Sequence, residues 1–346
     1  MFAILIYGIV SLVFLGVGVW LTNDLVTSRA SIIAERSALA LQTSKFMSQQ
    51  FGTTIMSADY VLRDVATKVT VTELGLASSE PDVEKRLSAF VREKLATLPG
   101  VYGLGLLDHR ARFVAAADES LVGIQSNSKL HVIPGQVLEN RTYVEYVPAT
   151  KSANRQPAIL VSRPILSPEG YVQGGVLAAI MLRSAQDWIE TFDIGKSDTM
   201  ALIDGDGILL ASNPRKPEAI GALLKSPGGQ PSFGDQRGSA TFIAVSPLDG
   251  RERIYGVSKV ENIPLCMSVG YDEASALHEW KQRVWQSLVG FLTLLLMFGN
   301  GLRHFVKIAA LKEQSERRNK ELQEALESIR TLRGMIPICA SVLNLK

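Results

Sequence analysis

Asp204-Gly205-Asp206 spaces two carboxylates as the opening of a calcium loop does, but no glutamate follows where such a loop takes its bidentate ligand. The four histidines, His109, His131, His278 and His304, are scattered and lack metal-site spacing. Two cysteines, Cys266 and Cys339, cannot by themselves make a disulfide framework or a four-ligand zinc site. No Gly-rich phosphate loop, nucleophile elbow or zincin helix is present. Gly228-Gly229 and Gly234 read as a flexible loop rather than a phosphate cradle. The expectation is a chain with no catalytic residues, no metal and no cofactor.

The elements that carry these residues are unevenly composed. Of 346 residues 47% are apolar and 20% charged, which excludes wholesale disorder, and a net charge of +2 argues against a nucleic-acid partner. Residues 1–23 contain no charged side chain, and 284–302 form a second charge-free run; each can cross a hydrocarbon core. Trp20 and Trp285 stand near segment ends, where amphipathic rings prefer the interface. A cleaved signal peptide is the alternative for the first run, which lacks a basic start, and a buried core helix for the second. Arg303, Lys307, Lys312, Arg317 and Arg318 follow the second run and place its C-terminal side in the cytoplasm. From Gly301 onward nine basic residues meet five acidic ones, a net of +4, leaving −2 for the rest. The chain is thus expected to cross the lipid bilayer twice, with both termini cytoplasmic and residues 24–283 outside. In a bacterium that is the inner membrane with a periplasmic or extracellular central region, and Cys266 and Cys339 fall on opposite sides.

The outer region opens with a helical pattern. Leu25, Ile32, Leu39 and Phe46 recur every seven residues, each followed by an apolar neighbour, and Phe51, Ile55, Ala58, Leu62 and Val65 continue the stripe. No proline interrupts before Pro81, so a helix of about forty residues is predicted, with a second over 81–98 presenting Val83, Leu87, Phe90, Val91 and Leu95. After Pro99-Gly100 the periodicity becomes that of strands. Leu106-Leu107-Asp108, a turn, Phe113-Val114-Ala115-Ala116 and Val122-Gly123 are echoed by Leu202-Ile203-Asp204, a turn, Ile208-Leu209-Leu210-Ala211 and Ile220-Gly221. The Asp-to-Gly intervals are 15 and 17 residues, and each unit later runs a long strand into a helix, 172–182 before 185–192 and 264–271 before 273–283. A duplicated structural unit is expected. Each Asp can bond backbone groups of its own turn, and Gly205 and Gly207 tolerate positive φ.

A membrane helix, a long outer helix, two tandem α/β units and a second membrane helix resemble the double Cache (PDC-type, PAS-like) sensor region of bacterial receptors. The closest matches lie in the second unit: 204–212 for the family's strand pair, Ile220-Gly221 for the turn after it, 246–250 with 254–256 for the next hairpin, and 263–265 for the start of the last strand. The resemblance implies an α+β fold, a long N-terminal helix with two tandem antiparallel-sheet units (101–195 membrane-distal, 196–283 membrane-proximal, after helices over 24–100). It also places a ligand in the distal unit, between the strands and a variable loop corresponding to 123–162. That loop and its edge hold Arg141, Tyr143, Glu145, Tyr146, Arg155 and Arg163. Arginine grips a carboxylate with two parallel bonds and tyrosine offers a ring and a hydroxyl, so Arg141, Tyr143, Tyr146, Arg155 and Arg163 suit an organic or amino acid anion. The alternative is that these residues simply alternate on solvent-facing strand positions. The family's acidic, aromatic and arginine signature after Gly123 is replaced here by Ile124-Gln125-Ser126-Asn127-Ser128-Lys129-Leu130-His131. Either the ligand differs or this unit has lost binding.

Past the second span, Ile308, Leu311, Ser315, Arg318, Leu322, Ala325, Ile329, Leu332 and Ile336 alternate spacings of three and four, a coiled coil over 303–336 that is firm from Leu322. Attached to a sensor, it predicts a parallel homodimer. The stretch 332–341 resembles a linker of sensor histidine kinases and diguanylate cyclases, with Val342 where a second cysteine usually stands. Fewer than ten residues follow Pro337, so 337–346 reads as a shortened linker without kinase or cyclase domain. The expected function is a membrane receptor that senses a small outer ligand and signals through its coiled coil to a separate effector, itself not an enzyme. The alternative is a non-sensing dimerisation partner of full-length receptors.

Overall fold

A computed structural model describes residues 2–126, 139–152, 155–224 and 238–342, leaving aside the side chains of 2–7 and 331–342. The stretch 127–131 and glycines 228, 229 and 234 therefore lie outside the described residues, as do the side chains of Leu332, Ile336 and Cys339. The chain divides into two units, residues 27–278 and residues 1–26 with 279–346.

In the larger unit the long helix α1 (Phe2–Lys68) enters from its N-terminal side and is followed by α2 (Val71–Ala77) and α3 (Pro81–Leu95). The sequence reading missed α2. Its start is a capping box in which Thr70 Oγ1 accepts from the Glu73 amide while the Glu73 carboxylate accepts from the Thr70 amide. Strands β1 (Gly103–Asp108), β2 (Phe113–Ala116), β3 (Tyr143–Val147), β4 (Ala158–Leu166) and β5 (Val172–Met181) make one antiparallel sheet in the order β2-β1-β5-β4-β3. Helix α4 (Leu182–Glu190) leads to β6 (Thr199–Asp204), β7 (Leu209–Asn213), β8 (Ser239–Val245), β9 (Glu252–Lys259) and β10 (Leu265–Asp272), ordered β7-β6-β10-β9-β8. The second sheet repeats the first strand for strand. Helix α5 (Glu273–Ala276) closes it.

The repetition extends to single hydrogen bonds. Asp108 Oδ1 accepts from the amides of Arg110 and Arg112, and Asp204 Oδ1 from those of Asp206 and Ile208. Both carboxylates thus tie down their own turns, as an Asx turn does. The β1–β2 and β6–β7 ladders slip at the equivalent place, between Leu106 and Leu107 and between Leu202 and Ile203. Gly123 and Gly221 take φ of +84° and +82°, donating to the Phe113 and Leu209 carbonyls. At the hairpin corner Gly207 takes the positive φ, whereas Gly205 does not.

Helix α1 is the spine of this unit. Its Ala40, Met47, Phe51, Ile55, Ala58, Leu62 and Val65 are buried, and from Met47 on they share one core with residues of both sheets. The heptad positions Leu39 and Phe46 are instead 40% and 52% exposed, so the buried stripe is one residue further round than the seven-residue pattern suggested. Ala40 is the reason α1 lies so close to the second sheet: a Cβ added to Gly256 of β9 would stand 2.2 Å from the Ala40 carbonyl carbon.

In the smaller unit the N-terminal part of α1 runs antiparallel to α6 (His278–Val342). Trp280 Nε1 donates to the Leu25 carbonyl at 2.9 Å, and the Phe14 ring lies 5.2 Å from that of Phe298. Both helices are long and apolar enough to cross a membrane by length and composition. Large apolar side chains such as Leu12, Leu296 and Met297 are exposed on the pair.

Candidate functional site

Alternation along the strands gives the first sheet two different faces. Leu104 and Leu106 of β1, Ile159 and Val161 of β4 and Val176 of β5 pack toward α1. Leu107, Phe113, Val147, Leu160 and Leu177 form a separate cluster on the opposite face. A cavity of about 50 Å³ opens there, floored by Gly105, Phe113, Leu160 and Leu177. Gly105 is bare for a reason: an added Cβ would lie 2.7 Å from the Phe113 ring, which lies across the strand. The rim is polar and carries Asp118, Ser126, Lys151 and Ser152. Asp118 is positioned as the cap of the short turn after β2, its Oδ1 accepting from the Ser120 amide and hydroxyl. A cation and a carboxylate facing one apolar floor can meet both ends of a zwitterion.

None of the five residues singled out in the sequence lines this cavity. Arg141 and Tyr143 come together, the guanidinium 5.0 Å from the ring centroid, but Arg141 is ion-paired to Glu139 at an exposed edge. Tyr146 faces the α1 side, and its hydroxyl is 3.0 Å from where a Cβ on Gly221 would stand. Burial, with the Asp204 carboxylate nearby, raises its phenol above the ordinary value. Arg155 sits exposed in the β3–β4 connection with φ of +56°. The stretch 123–162 is not simply a loop, since it contains β3 and the start of β4. Within β3, Glu145 is buried rather than solvent-facing. Lys151 and Ser152 escaped the sequence reading because nothing local marks a turn that folds back over Leu160.

Arg163 is engaged within the fold. It projects from β4 toward α1, where Nη1 meets Asp59 Oδ1 at 2.6 Å with side-chain exposures of 7% and 19%. Nε donates to Asn140 Oδ1 and Nη2 to the Asn140 carbonyl, both at 3.1 Å, and Nη1 also reaches Thr142 Oγ1 at 3.1 Å. The Thr142 hydroxyl in turn donates to Asp59. One guanidinium therefore fastens the segment leading into β3 to the long helix. The two sheets are linked through α4, whose Gln186 exchanges two bonds with the backbone of Ser212 in β7. Among the described residues no three His, Cys, Asp or Glu side chains cluster as a metal site.

Comparison with known proteins agrees with this architecture. Residues 184–270 match a family described as histidine kinase sensor domain, dCache_1-like. The fold is similar to the periplasmic sensory domain of the Campylobacter jejuni chemoreceptor Tlp1, at TM-score 0.55 and 11% identity over 71% of this chain and 98% of that one. It is also similar to the extracellular domain of rpHK1S-Z16, which carries a histidine-kinase name, at 0.53 and 20% identity over 70% and 97%. The ligand-binding domain of the Pseudomonas fluorescens chemoreceptor CtaA, solved with L-isoleucine, matches at 0.52 and 15% identity over 73% and 99%. No curated protein sequence matches the chain. The two-sheet region has the double Cache fold of histidine-kinase and chemoreceptor sensor domains.

Proposed function

We propose that this chain is a two-pass receptor of a bacterial inner membrane whose distal module senses a small organic or amino acid, with residues 24–283 outside and both termini in the cytoplasm. The observation that carries the reading is the double Cache fold itself, with a cavity on the outer face of the first sheet. Lys151 and Asp118 would meet the carboxylate and ammonium of a zwitterion, and Leu160 and Leu177 its side chain. The polar edge at Arg141 and Tyr143 would serve as the approach. A cavity of about 50 Å³ must widen to admit such a ligand. Widening would move the turn after β3 that bears Lys151 and Ser152, and the segment leading into β3 is held to α1 through Arg163. Ligand binding would thus act on α1, and differential affinity for two positions of α1 is what a signal requires.

The exposed α1 side chains Leu39, Phe46, Met56 and Tyr60 supply an apolar stripe for a second copy of the chain. Ile308, Leu311, Leu322 and Ile329 of α6 are likewise exposed and follow the heptad, which supports a parallel coiled coil on the cytoplasmic side. The chain itself supplies no chemistry in this reading. A second reading, a non-sensing partner of full-length receptors, is favoured by the smallness of the distal cavity, well under the roughly 300 Å³ of ordinary ligand sites. A thermal-shift screen of amino acids and small organic acids separates them. The sensing reading expects at least one compound to raise Tm by several degrees, and a flat screen refutes it.

A further inference from the structure

The second module repeats the first, so the place equivalent to the distal cavity can be found by register. Gly103 pairs with Ala179 in the first sheet and Thr199 with Gly270 in the second. Two residues further along the central strand, Ala158 pairs with Met181 and Arg253 with Asp272. Gly103 and Ala158 line the distal cavity, and their counterparts Thr199 and Arg253 line a cavity of about 360 Å³ in the second module. The apolar end of the equivalent site is filled. Tyr255 stands where Leu160 stands, stacks on Phe242 at 5.5 Å, and lies so close to Gly270 that an added Cβ would be 2.6 Å from its ring. What stays open is the polar mouth.

That mouth is cationic. Lys196, Lys216, Arg251 and Arg253 line it against two carboxylates, Asp198 and Asp249, leaving two positive charges in excess. Both carboxylates are engaged. Asp249 takes Arg253 Nη1 and Nη2 at 2.6 and 2.7 Å, and Asp198 Oδ1 accepts from the Asp272 amide at 3.0 Å. Arg253 is consumed by Asp249 and the Ser197 carbonyl and serves as a wall. The remaining cations are not consumed: Arg251 spends one bond on Ser197 Oγ, and the ammonium groups of Lys196 and Lys216 make no hydrogen bond or ion pair among the described residues. Ser197, Thr199 and Ser212 add hydroxyls.

We propose that this cavity is a second ligand site, for a compact dianion held between Lys196, Lys216 and Arg251. The chemistry fits a short dicarboxylate or inorganic phosphate, whose two charges balance the excess and whose oxygens match the lysine and arginine donors. With its apolar end closed by Tyr255, the site rejects an amino acid with a large side chain. The proposal does not depend on the distal cavity being occupied.

Calorimetric titration of the full chain in lipid nanodiscs with succinate and, separately, with inorganic phosphate tests it. At least one probe is expected to bind one-to-one with Kd below about 1 mM. Binding by succinate alone, phosphate alone or both supports the site and tells which source of the dianion it accepts. Lys196→Gln with Lys216→Gln should weaken binding at least about tenfold, since each removes a charged hydrogen bond. Lys196→Arg with Lys216→Arg keeps the charge and should restore most of it, which separates lost contact from lost fold. Leu160→Trp, which fills the distal cavity, should leave it unchanged. The proposal is overturned if neither probe binds with Kd below about 1 mM, or if the double glutamine variant binds as tightly as the native chain. It is also overturned if Leu160→Trp alone abolishes binding, which would assign the dianion to the distal cavity.

Discussion

Replacing Arg163 by methionine keeps most of its length and removes the charge that ties β4 to α1. Breaking a fully buried ion pair by removing one partner costs about 3–5 kcal/mol. Asp59 is 19% exposed and keeps Arg63 at 3.5 Å on the next helical turn, so part of its charge remains compensated. The expected loss is therefore about 2–3 kcal/mol, below that range, and includes the orphaned Asn140 contacts. Asp59→Asn leaves a neutral acceptor and should cost about 1–2 kcal/mol. If the two side chains act as one unit, the double variant costs less than the sum of the single ones, with a coupling of about 1–2 kcal/mol. Urea denaturation followed by circular dichroism on residues 27–278, which form their own compact unit, reads all four corners of the cycle. A loss under about 0.5 kcal/mol for Arg163→Met, or additive single effects, would refute the fastening and its place in signal transmission.

Gly256→Ala should destabilise the same unit by about 2–3 kcal/mol, because the new methyl meets the α1 backbone rather than a movable side chain, and denaturant midpoints would show it. The Arg253 guanidinium holds the Asp249 carboxyl down to about 2, below its ordinary 3.8. A depressed carboxylate stabilises the fold above its unfolded value and loses that contribution as pH falls toward the folded one. Asp249→Asn should then cost about 1 kcal/mol at pH 7 after allowance for solvent screening, and the gap between variant and native protein should close between about pH 4 and pH 2. Burial pushes the Cys266 thiol up to about 12. Iodoacetamide at pH 8 should leave Cys266 unmodified in the folded protein and alkylate it after unfolding, as mass spectrometry of the peptide would report. Ile329→Cys should form an intermolecular disulfide on mild oxidation in membranes, and its absence would contradict the parallel coiled coil.

Much of the architecture was legible because it is written in periodicity. Heptads marked α1, and the repeated Leu-Leu-Asp and Leu-Ile-Asp corners marked the duplicated sheets, down to the carboxylates that cap their own turns. Helix α2 was also written, as Thr70-Val71-Thr72-Glu73, a capping box that passed unnoticed inside a polar stretch. The facing of α1 was not legible: Leu39 and Ala40 are both apolar, and only the close approach of Gly256 makes the smaller one the buried partner. The site was the least legible part. Arginine and tyrosine announce binding chemistry by type, yet Arg163 is spent on Asp59, 104 positions away, and Tyr146 turns to the other face of its strand. Partners so remote leave no local signature, so residue type alone could not tell a ligand grip from a structural fastening.

The receptor reading stands or falls on whether the distal cavity takes a ligand. The direct measurement is isothermal titration of the strongest amino acid from the thermal screen into the native chain and into the Leu160→Trp variant, whose indole fills the cavity floor. The account predicts one-to-one binding to the native chain and a loss of at least about a hundredfold in the variant, with the fold of the variant intact by circular dichroism. Binding that survives Leu160→Trp undiminished would contradict it.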